Sequence, residues 1–313
     1  MTIAIRALVA ADLPAADRIF RLAFGTFLGL PEPLAFGGDA DYVRTRWQAD
    51  PSATFAAVAD GVLVGSNFAA RWGRFALFGP LTVHPEHWDA GIAQQLLAAT
   101  MQRFDDWGIT HAGLFTFANS PKHLVLYQRY GFMPRCLTVL LSGPVTAAPH
   151  AVPAERYSAL DGSARAVALD ACRAVADTVL DGLDLAREIE AVQAQALGDT
   201  LLLHDGAALA GFAVCHVGAG SEAGGGVCYV KFGAVRPGPA AAADFTRLVD
   251  LCQSYAAARG AAQLVVGVNT ARAGAYRALL ARGMRIVTQG VAMQRPNEPG
   301  FNHAAAWVID DWR

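Results

Sequence analysis

Lysine is nearly missing from this chain of 313 residues: apart from Lys122 and Lys231, its basic side chains are arginines. That bias reads as genome base composition rather than as function. A basic excess is missing too, since 25 Lys and Arg face 27 Asp and Glu for a net charge of −2. No nucleic-acid partner is therefore expected. Long apolar runs are also absent. Hydrophobic residues make up 54% of the chain, but many are alanine, and Gly and Pro break the stretches well short of the roughly 18–20 residues a bilayer-spanning helix needs. The opening segment, Met1 to Val9, carries Arg6 and runs into Asp12-Leu13-Pro14, a helix start rather than the apolar core of a cleavable leader. A cytoplasmic protein with no membrane partner is the expectation. Cysteine is scarce and scattered, at 136, 172, 215, 228 and 252. An odd, widely spaced set offers neither a disulfide framework nor zinc-ligand spacing, so no metal is expected and each Cys reads as a small buried apolar residue.

What is present suffices for two cores, because domains commonly run to about 150 residues. Ile3 to Val9 reads as a strand. Behind Asp12, taken as a helix cap, Leu13, Ala16, Ile19, Phe20 and Ala23 fall at the three- and four-residue spacing of one buried helix face. A second helix is expected over Asp39 to Gln48. Thr54 to Ala59 and Val62 to Arg71 flank Asp60-Gly61 as a hairpin, and a third β-rich run covers Phe75 to Val83. After a loop, a helix from Ile92 to Trp107 stops at Gly108. A strand (His111 to Ala118), a helix (Lys122 to Tyr130) and a strand (Phe132 to Leu141) follow. Residues 144–153, with three prolines and no periodicity, read as a linker.

Beyond the linker the order repeats. Asp205-Gly206 and Gly211 answer Asp60-Gly61 and Gly65, and the helix ending at Arg259-Gly260 answers the one ending at Trp107-Gly108. Leu264 to Asn269 answers the strand leading to Asn119, and Leu279 to Gly283 answers Tyr127 to Gly131. The chain reads as a duplicated α/β unit, with domains at 1–143 and 154–313.

One stretch carries chemistry: Leu81-Thr82-Val83, then Trp88-Asp89-Ala90-Gly91-Ile92-Ala93-Gln94. A strand ends, a turn follows and a helix opens, so several backbone N–H groups and the positive end of a helix dipole converge where a diphosphate would fit. Gly91 and Ala93 keep side chains out of its way. Downstream, Asn119-Ser120-Pro121-Lys122-His123 leads to Tyr127, four residues before Gly131-Phe132.

Together these two segments resemble the phosphate loop and closing helix of the GNAT (Gcn5-related) acyltransferases, over residues 1–142 clearly and 155–313 more faintly. Trp88 departs from the Arg or Gln usual at the start of that loop. The resemblance implies an α/β (α+β) fold of two tandem GNAT-type domains, each a mixed, mostly antiparallel sheet flanked by helices. It implies acetyl-CoA as co-substrate, bound by Leu81 to Val83, by residues 88–94 and by Asn119, which bonds the pantetheine arm, caps the helix, or both. Tyr127 would protonate the leaving thiolate, and the acceptor would be the amine of a small molecule. A lysine-type amine, with a pKa near about 10.4, must lose a proton before it attacks. No residue is identifiable as the base: His84, Glu86 and His87 read as solvated loop residues, and nothing positional favours Glu32 or His111. In the second half, Arg236-Pro237-Gly238-Pro239 puts prolines where N–H donors are wanted, and Leu279 replaces the tyrosine. That half is expected not to bind acetyl-CoA. The competing reading is a non-catalytic acyl-CoA-binding or sensing protein.

Overall fold

The computed structural model describes residues 2–146 and 155–313. The first half runs β1 (Ile3–Ala7), α1 (Leu13–Phe27), α2 (Tyr42–Ala49), β2 (Thr54–Ala59), β3 (Val62–Trp72), β4 (Phe75–Phe78), β5 (Thr82–Val83), α3 (Ile92–Asp106), β6 (His111–Thr116), α4 (Pro121–Gln128) and β7 (Met133–Pro144). The second half runs β8 (Glu155–Arg156), α5 (Gly162–Val179), α6 (Ala186–Ala194), β9 (Gly198–Asp205), β10 (Ala208–Gly218), β11 (Gly224–Val235), α7 (Ala241–Ala258), β12 (Gln263–Asn269), α8 (Ala273–Ala281), β13 (Arg285–Arg295) and β14 (Val308–Ile309). The expected linker falls mostly on residues 147–153, outside the described residues.

The strands join into one mixed, mostly antiparallel sheet in the order β1-β2-β3-β4-β6-β13-β7-β12-β11-β10-β9-β8, with β5 on β3 and β14 on β11. β7 and β13 are exchanged between the halves. β13 lies between β6 and β7, while β7 pairs with β12 on its other side. Each of these long strands is thus hydrogen-bonded along both edges, which removes two edges that would otherwise recruit other chains.

Helices cover the sheet with the apolar faces their spacing dictates. Ala16, Ile19, Phe20 and Ala23 of α1 are buried, as are Ile92, Leu96, Leu97, Met101 and Phe104 of α3. The paired glycines of the repeat serve close backbone approach. A Cβ on Gly65 would lie 2.7 Å from the Thr82 carbonyl oxygen, and one on Gly211 would lie 2.6 Å from that of Ala234. No real side chain tolerates such distances, so glycine lets β3 and β10 sit against the strands that follow them.

Three local expectations are corrected. Asp12 does not cap α1: its carboxylate accepts the Val9 N–H at 2.9 Å and pairs with Arg6. The run Phe75 to Val83 is two strands, broken at Gly79-Pro80-Leu81, where Pro80 has no N–H to give a ladder. Cys136 is exposed; the other four cysteines are buried.

Arg46 on α2 fastens the halves together. Its guanidinium forks onto Glu222 with two bonds of 2.9 Å, and Lys231 bridges Glu222 and Glu188 at 2.9 Å each. All four side chains are buried. For Glu188, burial alone would raise the carboxyl pKa, but Lys231 and His216 outweigh it and hold the group at about 2.

Candidate active site

β4 and β6 run parallel from Phe75/His111 to Leu77/Gly113 and then part. β5 continues on the β3 side, through Gly65/Val83 and Ser66/Thr82, while the far end of β6 pairs only with β13. A wedge opens between them. It leads into a cleft of about 510 Å³ lined by Leu81, Thr82, Val83, Trp88, Asp89, Gly91, Ile92, Ala93, Gln94, Ser120, Lys122, His123 and Tyr127, among others.

The floor of one end is the start of α3. Gly91 is the N-cap, at φ 76°, a left-handed conformation natural to glycine. No side chain caps this end, and the backbone N–H groups of residues 91–94 have no acceptor among the described residues. An uncapped helix start facing a cleft, with four free donors, suits an anionic group such as a diphosphate. Asp89, also left-handed at φ 67°, pairs with Lys122 across the loop. The Trp88 indole N–H turns back to the Val83 carbonyl at 2.8 Å.

Tyr127 sits where α4 crosses behind the wedge. It is 8% exposed, packed against Phe78 and Phe132. Burial raises its pKa well above the ordinary tyrosine value, with the Thr116 hydroxyl pulling the other way, so the phenol keeps its proton at neutral pH. Ala90 and Asn119 are not among the cleft-lining residues. Asn119 is exposed in the turn before α4, and the capping expected of it belongs to Ser120, which is buried and accepts the His123 N–H at 3.4 Å. An Asn two places before a Pro looks like a cap in sequence. The residue directly before Pro at the first helical position is the better choice, because that Pro fixes where the helix begins. Sequence reasoning also passed over Phe24, Phe27, Phe117 and His123, which line the cleft as well.

Of the basic candidates, His111 is remote in character: buried, hydrogen-bonded to the Gln294 side chain at 2.9 Å, its pKa lowered by burial. Among the described residues, no group of three or more His, Cys, Asp or Glu could hold a metal ion, and no helix is long and apolar enough to cross a membrane.

In the second half the frame is the same up to Val235-Arg236. The Arg236 N–H bonds Ala210 as the His84 N–H bonds Val64, at 2.8 Å in both. Beyond that point the halves diverge. The helix cap comes seven residues after His84, at Gly91, but four after Arg236, at Ala240. The first turn of α7 holds the buried carboxylate of Asp244. The counterpart wedge, between β11 and β12, is filled: β14 pairs Val308 with Ala234 and Ile309 with Gly233, and the Asp310 N–H reaches the Gly267 carbonyl at 2.8 Å.

A split pair of parallel strands, a free helix start and a protonated tyrosine in one cleft are the arrangement expected of an acyl-CoA-dependent acetyltransferase of the GNAT type. The comparisons agree: residues 18–132 match the family model described as acetyltransferase (GNAT) family, a family that uses acetyl-CoA. Over nearly its whole length the chain shares its fold with solved structures. One is a protein from Pyrococcus horikoshii assigned as an acetyltransferase, at 14% identity and TM-score 0.70, covering 99% of this chain and 95% of that one. A second is a GCN5-related N-acetyltransferase from Sphaerobacter thermophilus, at 17% and 0.58, covering 94% and 95%. A third is a GCN5-related N-acetyltransferase from Anabaena variabilis, at 15% and 0.55, covering 94% and 72%. No curated protein matches the sequence.

Proposed function

We propose that this protein moves an acetyl group from acetyl-CoA directly to the amine of a small acceptor. Residues 1–143 would hold the co-substrate. Residues 154–313, joined by the linker at 144–153, would form a half that does not bind it and that shapes the acceptor side. The observation that carries the reading is the common cleft: the free N–H groups of 91–94 at one end, the open edge of Leu81 to Val83 along it, and Tyr127 behind.

The backbone donors at 91–94 would hold the diphosphate, and the unpaired side of β5 would bond the pantetheine amides. The Trp88 indole must leave the Val83 carbonyl if that oxygen is to take a pantetheine N–H. The thioester supplies an activated acetyl group. A backbone N–H at Leu81 to Val83 would polarise its carbonyl, the role an oxyanion donor plays, and Tyr127, held protonated by burial, would give its proton to the departing sulfur. Most of the rate would come from holding amine and thioester together.

Tyr127→Phe tests this. Removing a positioned acid costs about 10²–10⁴-fold in rate, so kcat should fall into that range while the acetyl-CoA Kd stays within about twofold. An unchanged kcat would remove Tyr127 from the mechanism.

A further inference from the structure

One part of the cleft lining has a different chemistry. Phe24 and Phe27 of α1, Phe117 just beyond β6, and His123 of α4 form it, all of them half-buried. Their rings stand in mutual contact: Phe27 to Phe117 at 4.8 Å, Phe27 to His123 at 5.0 Å, and Phe24 to Phe117 at 6.1 Å between centroids. The chain leaving Phe27 carries exposed Leu28, Leu30 and Leu34, none of which lines the cleft. Asp89 is the only carboxylate lining the cleft among the described residues, and Lys122 already pairs with it. A polyamine or other polycationic acceptor would find no free negative charge there. His123 lies four residues before Tyr127, hence on the same face of α4. Its Nδ1 has no hydrogen-bond partner, so no neighbour fixes its tautomer.

Resting on the acetyl-transfer reading above, we propose that this aromatic part is the acceptor site, that it takes a primary amine borne on an aromatic or similarly flat apolar group, and that His123 receives the amine's proton. Burial, and then the neighbouring Lys122, lower the His123 pKa. The other titratable groups lining the cleft are His87, Asp89, Tyr127 and Arg129. In the transfer, the amine nitrogen bonds the acetyl carbon as the carbon–sulfur bond breaks. The nitrogen's proton goes to His123, the sulfur takes one from Tyr127, and return of a proton from His123 to Tyr127 through solvent restores both groups.

The test is steady-state acetylation of 2-phenylethylamine, spermidine and glutamate by the full chain with acetyl-CoA. The expected result is a kcat/KM for 2-phenylethylamine at least about tenfold above the other two, from stacking in the ring cluster. Phe27→Ala, and Phe27→Leu as the variant that keeps apolar bulk, should raise its KM about five- to tenfold and leave the KM for acetyl-CoA unchanged. His123→Gln should cut kcat by about 10²-fold or more. It should also abolish the acid limb of kcat, which in the parent begins below the ordinary histidine range because the base works only while unprotonated. Preference for spermidine or glutamate, or an unmoved KM in both Phe27 variants, would overturn the acceptor class and leave acetyl transfer standing. A kcat profile unchanged in His123→Gln would remove the base. A chain that binds acetyl-CoA but acetylates none of the three amines would sink both this proposal and the reading beneath it.

Discussion

The two wedges of this molecule are built on one plan and used in opposite ways. In each half, a glycine on the second hairpin strand admits the backbone of a later strand, and a residue just before a proline bonds back to the hairpin at 2.8 Å. In each, a parallel strand pair then separates. In the first half the gap stays open and ends at a helix start with unpaired donors. In the second, the gap receives β14, whose backbone supplies the hydrogen bonds the parted strands lack. Parted strands in a sheet interior leave polar backbone that has to be satisfied by something. One half leaves those groups open to a cleft and the other gives the task to its own tail.

The sharpest way to break the comparison is at Gly91. A glutamate there would bring a side chain and a negative charge to the free N–H groups of 91–94, at a left-handed φ of 76°. Calorimetric titration with acetyl-CoA should show one site in the parent chain and at least a hundredfold weaker binding in Gly91→Glu. Two sites in the parent would mean that the tail does not close the second wedge.

Next in size is the tail itself. Trp312 follows the strand that fills the second wedge, yet it docks against the first half. It is 3% exposed, within 5.4 Å of the Phe75 ring and 5.5 Å of Phe301, and over Gly113, where a Cβ would come within 2.6 Å of its ring. Trp312→Ala removes a large buried aromatic and should cost about 3–5 kcal/mol of stability, read by denaturant unfolding. A cost under about 1 kcal/mol would mean that the tail is peripheral to the core.

How much of this was readable in the sequence follows from the range of the interactions. The loop at 88–94, the helix behind it and the tyrosine before Gly131 are local patterns, and local patterns survive in a single sequence. The different path of the chain in the second half, from Arg236 to the helix start at Ala240, was also hinted at by Pro237 and Pro239. The exchange of β7 and β13 was not, because both strands look alike to a periodicity argument and their partners lie more than a hundred residues away. Nor was the filling of the second wedge: Val308 and Ile309 read as a strand, with nothing to say where it pairs. The aromatic part of the cleft lining was missed for a related reason. Phe24 and Phe27 sit on a helix whose spacing announces only a buried face, and they meet Phe117 and His123 only after folding.

A smaller effect tests the bond between the halves. Glu188 contributes stability through a carboxyl whose pKa is lower in the folded chain than in the unfolded one. That contribution is complete above the usual carboxylate range and is lost as pH falls toward about 2. Glu188→Gln should cost about 3 kcal/mol near neutrality, at the low end for a broken buried ion pair because Glu222 still holds Lys231. It should also flatten the fall of Tm between about pH 5 and pH 2. An equally steep fall in the variant would place the acid sensitivity elsewhere.

The smallest expected effect is at Arg236, the counterpart of His84. If the second half were a working cofactor site, an arginine at the end of its strand would be a natural phosphate ligand, and its loss would cost turnover. The structure gives it other work: Nε donates to the Leu209 carbonyl at 2.8 Å, and Nη1 to that of Ala174 at 3.3 Å, tying β10 to α5. Both acceptors are main-chain oxygens that α5 and β10 present whether or not a ligand is near, and Asp244 and two prolines stand where a phosphate would need donors. Arg236→Ala should therefore lower Tm modestly, by the loss of two hydrogen bonds worth about 1 kcal/mol each. It should leave kcat and the KM for acetyl-CoA within about twofold of the parent. A tenfold rise in that KM, with the fold intact, would show that the second half still handles the co-substrate and that the two wedges are less different than their backbones indicate.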